Sequence, residues 1–260
     1  MTYELIDSHA HVDASQFDTD RAAVLTRARA AGVTRIINVG CSVRSWTTTL
    51  DLCAETGVYA CFGLHPNDAD AWDDTIIPAL RRLHAHSRAV AVGETGLDYY
   101  REYAPAKKQR AAFTAQLALA RELGKPVVIH HREAHADMLA ILREEVQAHG
   151  PVHGVLHAFN GDPGFAQALL DLGLHLGLGG PTTFKNAIDL HAAVRAIPLA
   201  RVVIETDSPY LAPQPHRGKR NEPAYVALVC ARIAELHGRE VGEIAAITTA
   251  NAERLFGMST

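Results

Sequence analysis

A chain of 260 residues, 48% hydrophobic and 21% charged, carries enough apolar material for a sizeable buried core and has the composition of an ordinary globular protein. Its formal charge of −4 argues against long electrostatic wrapping of nucleic acid, and no apolar run reaches membrane-spanning length or follows the basic-then-apolar layout of a secretion signal. Cys41, Cys53, Cys61 and Cys230 lack C-x-x-C spacing and read as reduced thiols of a cytoplasmic protein. No repeat, linker or low-complexity tract interrupts the sequence, so one domain over residues 1–260 is expected. The surface helices offer no apolar stripe for self-association, and a monomer is expected.

Strand-like and helix-like stretches alternate along the whole chain. The first strand is read at Tyr3–His11, followed by a helical pattern at Asp18–Ala31 that Gly32 closes. Next come a strand at Arg35–Val39, a helix at Ser45–Glu55 stopped near Gly57, a strand at Val58–Leu64 and a helix at Thr75–His84. The fourth strand, Ala89–Glu94, leads through a tyrosine-rich loop (Tyr99, Tyr100, Tyr103) to a strong helix at Ala106–Leu123. There Phe113, Leu117, Ala120 and Leu123 recur at helical spacing before Gly124 and Pro126. The pattern continues with a strand at Val127–His130, a helix at Ala134–Gln147, a strand at Gly154–His157 and a helix at Pro163–Leu172. A strand at His175–Leu178, a helix at Ala187–Ile197 and a strand at Arg201–Thr206 follow, then a Pro-rich basic loop, Ser208–Asn221, and closing helices at Pro223–Leu236 and Val241–Phe256. Continuous alternation implies a parallel sheet with right-handed crossovers, and eight units in this length fit a (β/α)8 TIM barrel with an extra C-terminal helix. A G-x-G-x-x-G fingerprint after the first strand is missing, which argues against a dinucleotide-binding open sheet.

Chemistry collects where the strands end. His9 and His11 lie two residues apart, so in a strand both project to one side and can form half of a metal pocket. With 15 histidines in the chain, roughly one His-x-His arises by chance, and Leu83-His84-Ala85-His86 carries a second copy at a helix end, where i and i+2 do not face each other. The weight therefore rests on the other strand ends: His65, Glu94, His130 or His131, His157 and Asp207. A barrel brings these separate positions to one mouth. Four of these five histidines with the two carboxylates, and no thiolates, suit Zn, Mn, Co or Ni and, more weakly, Mg. Six donors exceed the three that one open catalytic ion uses, and a pair of ions about 3.5–4 Å apart sharing a carboxylate would occupy all of them. Glu94 is the natural bridge, and Asp207 can bind one ion and accept a proton from attacking water. By alternation Glu205 shares the face of Asp207 and stands either behind the donors or in an ion pair with a barrel-interior base.

Seven ordered motifs then coincide: Asp7-Ser8-His9-Ala10-His11, Gly63-Leu64-His65-Pro66, Gly93-Glu94-Thr95-Gly96-Leu97-Asp98, Pro126-Val127-Val128-Ile129-His130, His157-Ala158-Phe159 with Gly161, Glu205-Thr206-Asp207-Ser208-Pro209-Tyr210-Leu211, and Arg217-Gly218-Lys219-Arg220-Asn221-Glu222-Pro223. Over essentially its whole length the chain resembles the TatD-type metal-dependent deoxyribonucleases of the amidohydrolase superfamily. The resemblance implies that His9, His11, Asp207 and Glu94 hold one ion and that Glu94, His130 and His157 hold the other, which selects His130 over His131. It implies that His65 touches a substrate phosphate, and that the activity is a Mg-dependent 3′–5′ exonuclease acting on DNA, with Mn, Zn, Co or Ni as other possible occupants. Ala158 stands where the family has cysteine, and His131 where it has a small residue; neither change removes a donor.

Within this reading, Glu94 and Asp207 carry the chemistry beside His65, and Arg132 is expected to bind non-bridging phosphoryl oxygens. Arg217, Lys219 and Arg220 give a local cationic patch, and Tyr99 or Tyr100 can stack a base of single-stranded DNA. The rival expectation keeps the metals but hydrolyses an amide or ester in a small molecule or an aminoacyl-tRNA, since the same activated water serves a carbonyl.

Overall fold

The computed structural model describes residues 3–101 and 103–258. Eight strands form one sheet in the order of the sequence: β1 (Leu5–Ala10), β2 (Val33–Gly40), β3 (Val58–Phe62), β4 (Ala89–Asp98), β5 (Val127–Arg132), β6 (Gly154–Leu156), β7 (His175–Leu178) and β8 (Val202–Ile204). The strands are parallel, and a parallel bridge between Ala10 and Ser208 joins the continuation of β8 to β1, which makes the fold a (β/α)8 TIM barrel. Seven helices alternate with the strands: α1 (Arg21–Ala30), α2 (Ser45–Leu52), α3 (Ile76–Leu83), α4 (Ala106–Leu123), α5 (His135–His149), α6 (Pro163–Asp171) and α7 (Ile188–Ala196). After β8 come α8 (Val226–His237) and the extra C-terminal helix α9 (Val241–Phe256).

The contacts divide the chain into two compact units, Met1–Asn38 with Ala158–Leu170 and His175–Thr260, and Val39–His157 with Asp171–Leu174. In the first unit Ile6, Phe17, Ile37 and Phe159 are fully buried; in the second Phe62, Leu97, Phe113 and Ile129 are. The α4 helix shows how sequence sets these packings. Ala112, Phe113, Gln116, Leu117 and Ala120 recur at helical spacing and are buried. Gly124 at φ +62° then ends the helix in a left-handed turn, with Lys125 N–H donating to Ala120 O.

Two strands run further than hydrophobic periodicity indicates: β4 continues from Glu94 to Asp98, and β5 from His130 to Arg132. The ladder between them explains the first extension. Gly93 pairs with Val128 and Thr95 with Ile129, so Glu94 is the extra residue of a bulge, a device that re-aims a side chain while pairing resumes beyond it. A similar shift falls in β1, where Asp7 pairs with Ile36 but Ala10 with Asn38, in the segment that carries His9.

Candidate metal centre

In the first unit, the chain beyond β8 lies along the end of β1. Asp207 N–H donates to His9 O at 2.9 Å and His11 N–H to Ser208 O at 2.7 Å, so Asp207 is carried beside both histidines. His9 Nε2 and His11 Nε2 stand 3.3 Å apart, and Asp207 Oδ1 is 3.7 and 3.5 Å from them. Buried polar groups fix this arrangement. The Asp7 carboxylate accepts from Thr206 N–H at 2.9 Å and Thr206 Oγ1 at 2.6 Å, and burial pushes its pKa up to about 8. Asn221 donates to Thr206 O and Tyr210 O, pinning the loop from behind.

In the second unit, Glu94 Oε1 is 2.8 Å from His130 Nδ1, 2.7 Å from His157 Nε2 and 3.4 Å from His65 Nε2. Glu94 is only 3% exposed; burial raises its pKa, but the surrounding histidines, His157 foremost, hold it well below the usual carboxylate range. Asp98 stands on the far side of His130, with Oδ2 3.2 Å from His130 Nε2. Its Oδ1 accepts the N–H groups of Tyr100 and Arg101 at 3.0 and 2.9 Å. Burial opposes ionisation of Asp98, yet His130 and these two N–H groups lower its pKa to about 2. A carboxylate on one ring nitrogen fixes which nitrogen is left for a metal. With Nε2–H given to Asp98, His130 presents Nδ1.

His65 differs from the other histidines. Its Nδ1 accepts Asn67 N–H at 3.0 Å, which places the ring proton of the neutral form on Nε2. The atom aimed at Glu94 is therefore a donor, suited to an oxygen rather than to a metal. Among the neighbouring residues, His131 turns from the cluster and packs edge-on to His135 with ring centroids 4.4 Å apart. Regular β8 ends at Ile204 and Asp207 has φ +55°, yet Glu205 still brings a carboxylate oxygen within 4.8 Å of a His9 ring nitrogen, and its Oε1 accepts Ala158 N–H at 2.5 Å, so it stands behind the donors.

The cationic groups take other positions. Arg132 lies over the ring of Tyr100 at 3.8 Å and Arg217 over Phe184 at 4.2 Å. Arg220 is engaged by Asp20 through two contacts of 2.8 Å and by the Phe17 ring, which leaves the basic loop with less spare charge than its sequence indicates. Tyr99 is anchored through its hydroxyl to Asp137 at 2.6 Å, whereas Tyr100 is 52% exposed.

Both donor groups fit a divalent cation. Imidazole nitrogens and a carboxylate oxygen held this close are electron pairs that repel unless a proton or a cation lies among them. With no cation His130 complements both Asp98 and Glu94 only by carrying a proton on each nitrogen, and against burial these two carboxylates raise its pKa; a cation at Nδ1 would take the place of the second proton. His9, His11 and Asp207 would hold one ion, and Glu94, whose ligand-distance neighbours include His65 as well as His130, would hold a second with His130 and His157; N and O donors without thiolate suit Mg, Mn, Zn, Co or Ni. The sequence reading names the same six candidate donors, which the structure brings into two groups. It did not assign Asp98, whose signal was a strand four residues longer than the hydrophobic pattern.

Comparison with known proteins agrees with this chemistry. The family model for TatD-related DNases matches residues 6–257. The uncharacterized metal-dependent hydrolase YabD of Bacillus subtilis is 43% identical over 253 residues, covering 97% of this chain and 98% of that protein. The 3′-5′ ssDNA/RNA exonuclease TatD of Klebsiella pneumoniae is 36% identical over 261 residues, covering 98% of each. Among solved structures, YjjV, a TatD homologue from Escherichia coli K12, superposes with a TM-score of 0.91 at 31% identity and 99% coverage of both chains.

Proposed function

Because the chain belongs to the TatD-related DNase family of metal-dependent hydrolases, we propose that it is a 3′–5′ exonuclease that removes nucleotides from single-stranded DNA or DNA ends, using two divalent ions, with Mg as the working metal. The observation that supports the reading is the pair of donor sets, His9 and His11 with Asp207, and His130 and His157 with Glu94. Divalent ions supply Lewis acidity there: they make water acidic enough to lose a proton near neutral pH and offset charge growing on phosphoryl oxygens.

The chain's own residues do the rest. Asp207, which reaches His9 and His11 through Oδ1, orients the attacking water and accepts its proton. His65 donates Nε2–H to a non-bridging oxygen, a role its Asn67 contact prepares. Glu94 holds His130 and His157 through Oε1 and would give an ion there its carboxylate oxygen. Arg132 and Arg217 bind phosphates through their guanidinium N–H groups while their faces rest on aromatic rings.

The test is Mg- or Mn-dependent release of mononucleotides from a 3′-labelled single strand, run beside a panel of amides and esters. Asp207→Asn is expected to slow release by at least about 100-fold with the fold intact, the lower end of general-base contributions. Undiminished release by that variant would remove Asp207 from the mechanism. Turnover of the amides or esters with none of DNA would replace the phosphodiesterase reading.

A further inference from the structure

Tyr100 exposes half its ring, although it stands on a short turn whose backbone is tightly fixed. Two guanidinium groups approach that one ring: Arg132 at 3.8 Å from the centroid and Arg101 at 5.7 Å. The other rings with an arginine over them among the described residues, Tyr59, Phe17 and Phe184, are buried or half-buried and have a single such partner each. Tyr100 is thus a displayed surface rather than a core side chain with a charged lid.

Its place relative to the candidate centre is built in. The Asp98 carboxylate that accepts from His130 Nε2 through one oxygen accepts Tyr100 N–H through the other. Tyr99 N–H donates to Arg132 O at 2.9 Å, which ties the turn to the end of β5. Arg132 itself follows His130 by two residues in β5, so it leaves the strand on the same side, ~7 Å further along. A rigid aromatic face with flanking cations, one strand step beyond a metal-facing histidine, matches what single-stranded nucleic acid needs: a π-surface for a base and positive charge for its phosphates.

We propose that Tyr100, backed by Arg132 and Arg101, is a base-stacking subsite that seats a nucleobase of single-stranded nucleic acid next to the cleavage centre. The inference rests on the nuclease reading above and adds to it the residue that grips the base. Because every base has a π-face, the subsite tolerates sequence, as an exonuclease stepping along a strand requires.

The test compares two probes on the metal-loaded protein by fluorescence anisotropy: a labelled phosphorothioate oligo(dT), and an abasic oligonucleotide of equal length and charge. Tyr100→Ala is expected to weaken oligo(dT) binding about tenfold, within the range for one stacked base, and to bind the abasic chain as the unsubstituted protein does. Tyr100→Phe keeps oligo(dT) affinity, and Tyr100→Trp gives an indole fluorescence that oligo(dT) quenches and the abasic chain does not. Equal oligo(dT) affinity for Tyr100→Ala and the unsubstituted protein would overturn the subsite, as would equal losses on both probes or an unquenched Trp. If the unsubstituted protein cleaves oligo(dT) yet Tyr100→Ala binds it normally, stacking alone fails. If it neither binds nor cleaves oligo(dT), the nuclease reading fails first.

Discussion

One carboxylate at Asp98 meets both the turn that carries Tyr100 and the ring of His130, and the consequence reaches the metal. By taking the Nε2 proton it leaves Nδ1 as the donor beside Glu94. Partners of this kind typically alter metal affinity or activity by about 10- to 100-fold. Asp98→Asn is accordingly expected to weaken one of two divalent sites by that factor in a manganese titration, with the other unaffected; two sites of unchanged affinity would show that Asp98 only holds the turn. The candidate donors were named in sequence from the ends of apolar runs, although β4 and β5 continue past Glu94 and His130. Asp98 was not, since the apolar pattern stops at Glu94 and gives no sign that pairing resumes.

The α4 helix, β7 and α9 were read with the ends they have, because glycines or turns stop a clear hydrophobic pattern there. Among the ends that differ are those of β4 and β5, where polar residues replace apolar ones toward the strand ends. Gly96 shows how little freedom this part of β4 has. It sits at φ +141°, and a Cβ there would lie 2.0 Å from His130 O. Gly96→Ala should therefore cost roughly 1–3 kcal/mol or more by urea unfolding and should also displace His130 from its metal. Retention of full stability and metal content would contradict the fixed ladder.

The second His-x-His copy is equally instructive at the scale of α3 and β3. His84 is buried at the end of α3 and donates Nε2–H to Phe62 O at 3.1 Å, while His86 is exposed. Burial lowers the His84 pKa from 6.5 to about 4. Between those values the unfolded chain binds a proton that the fold refuses, so stability falls as pH drops through this window and is insensitive to His84 above it. The loss is on the order of 3 kcal/mol, and His84→Gln, which keeps a donor, should flatten that part of a pH series of urea midpoints. An identical series for both proteins would rule His84 out as the cause.

At the scale of the molecule, regular alternation of strand and helix was enough to specify the barrel, since parallel strands with right-handed crossovers leave few alternatives. Within each compact unit, candidate donors that lie far apart in sequence are brought together, His9 and His11 with Asp207 in one and Glu94 with His130 and His157 in the other. Charge was less informative: Arg220 is spent on Asp20, so the basic loop counts for less in nucleic-acid binding than its composition implies. What the sequence left open was which nitrogen of His130 stands beside Glu94, because Asp98 behind that ring decides it. Anomalous diffraction at the manganese edge, from crystals soaked in Mn²⁺, tests the account most directly. It predicts one peak among His9 Nε2, His11 Nε2 and Asp207 Oδ1, and another among Glu94 Oε1, His130 Nδ1 and His157 Nε2; a map with no peak at either set, or with the imidazoles turned away from each other, would contradict it.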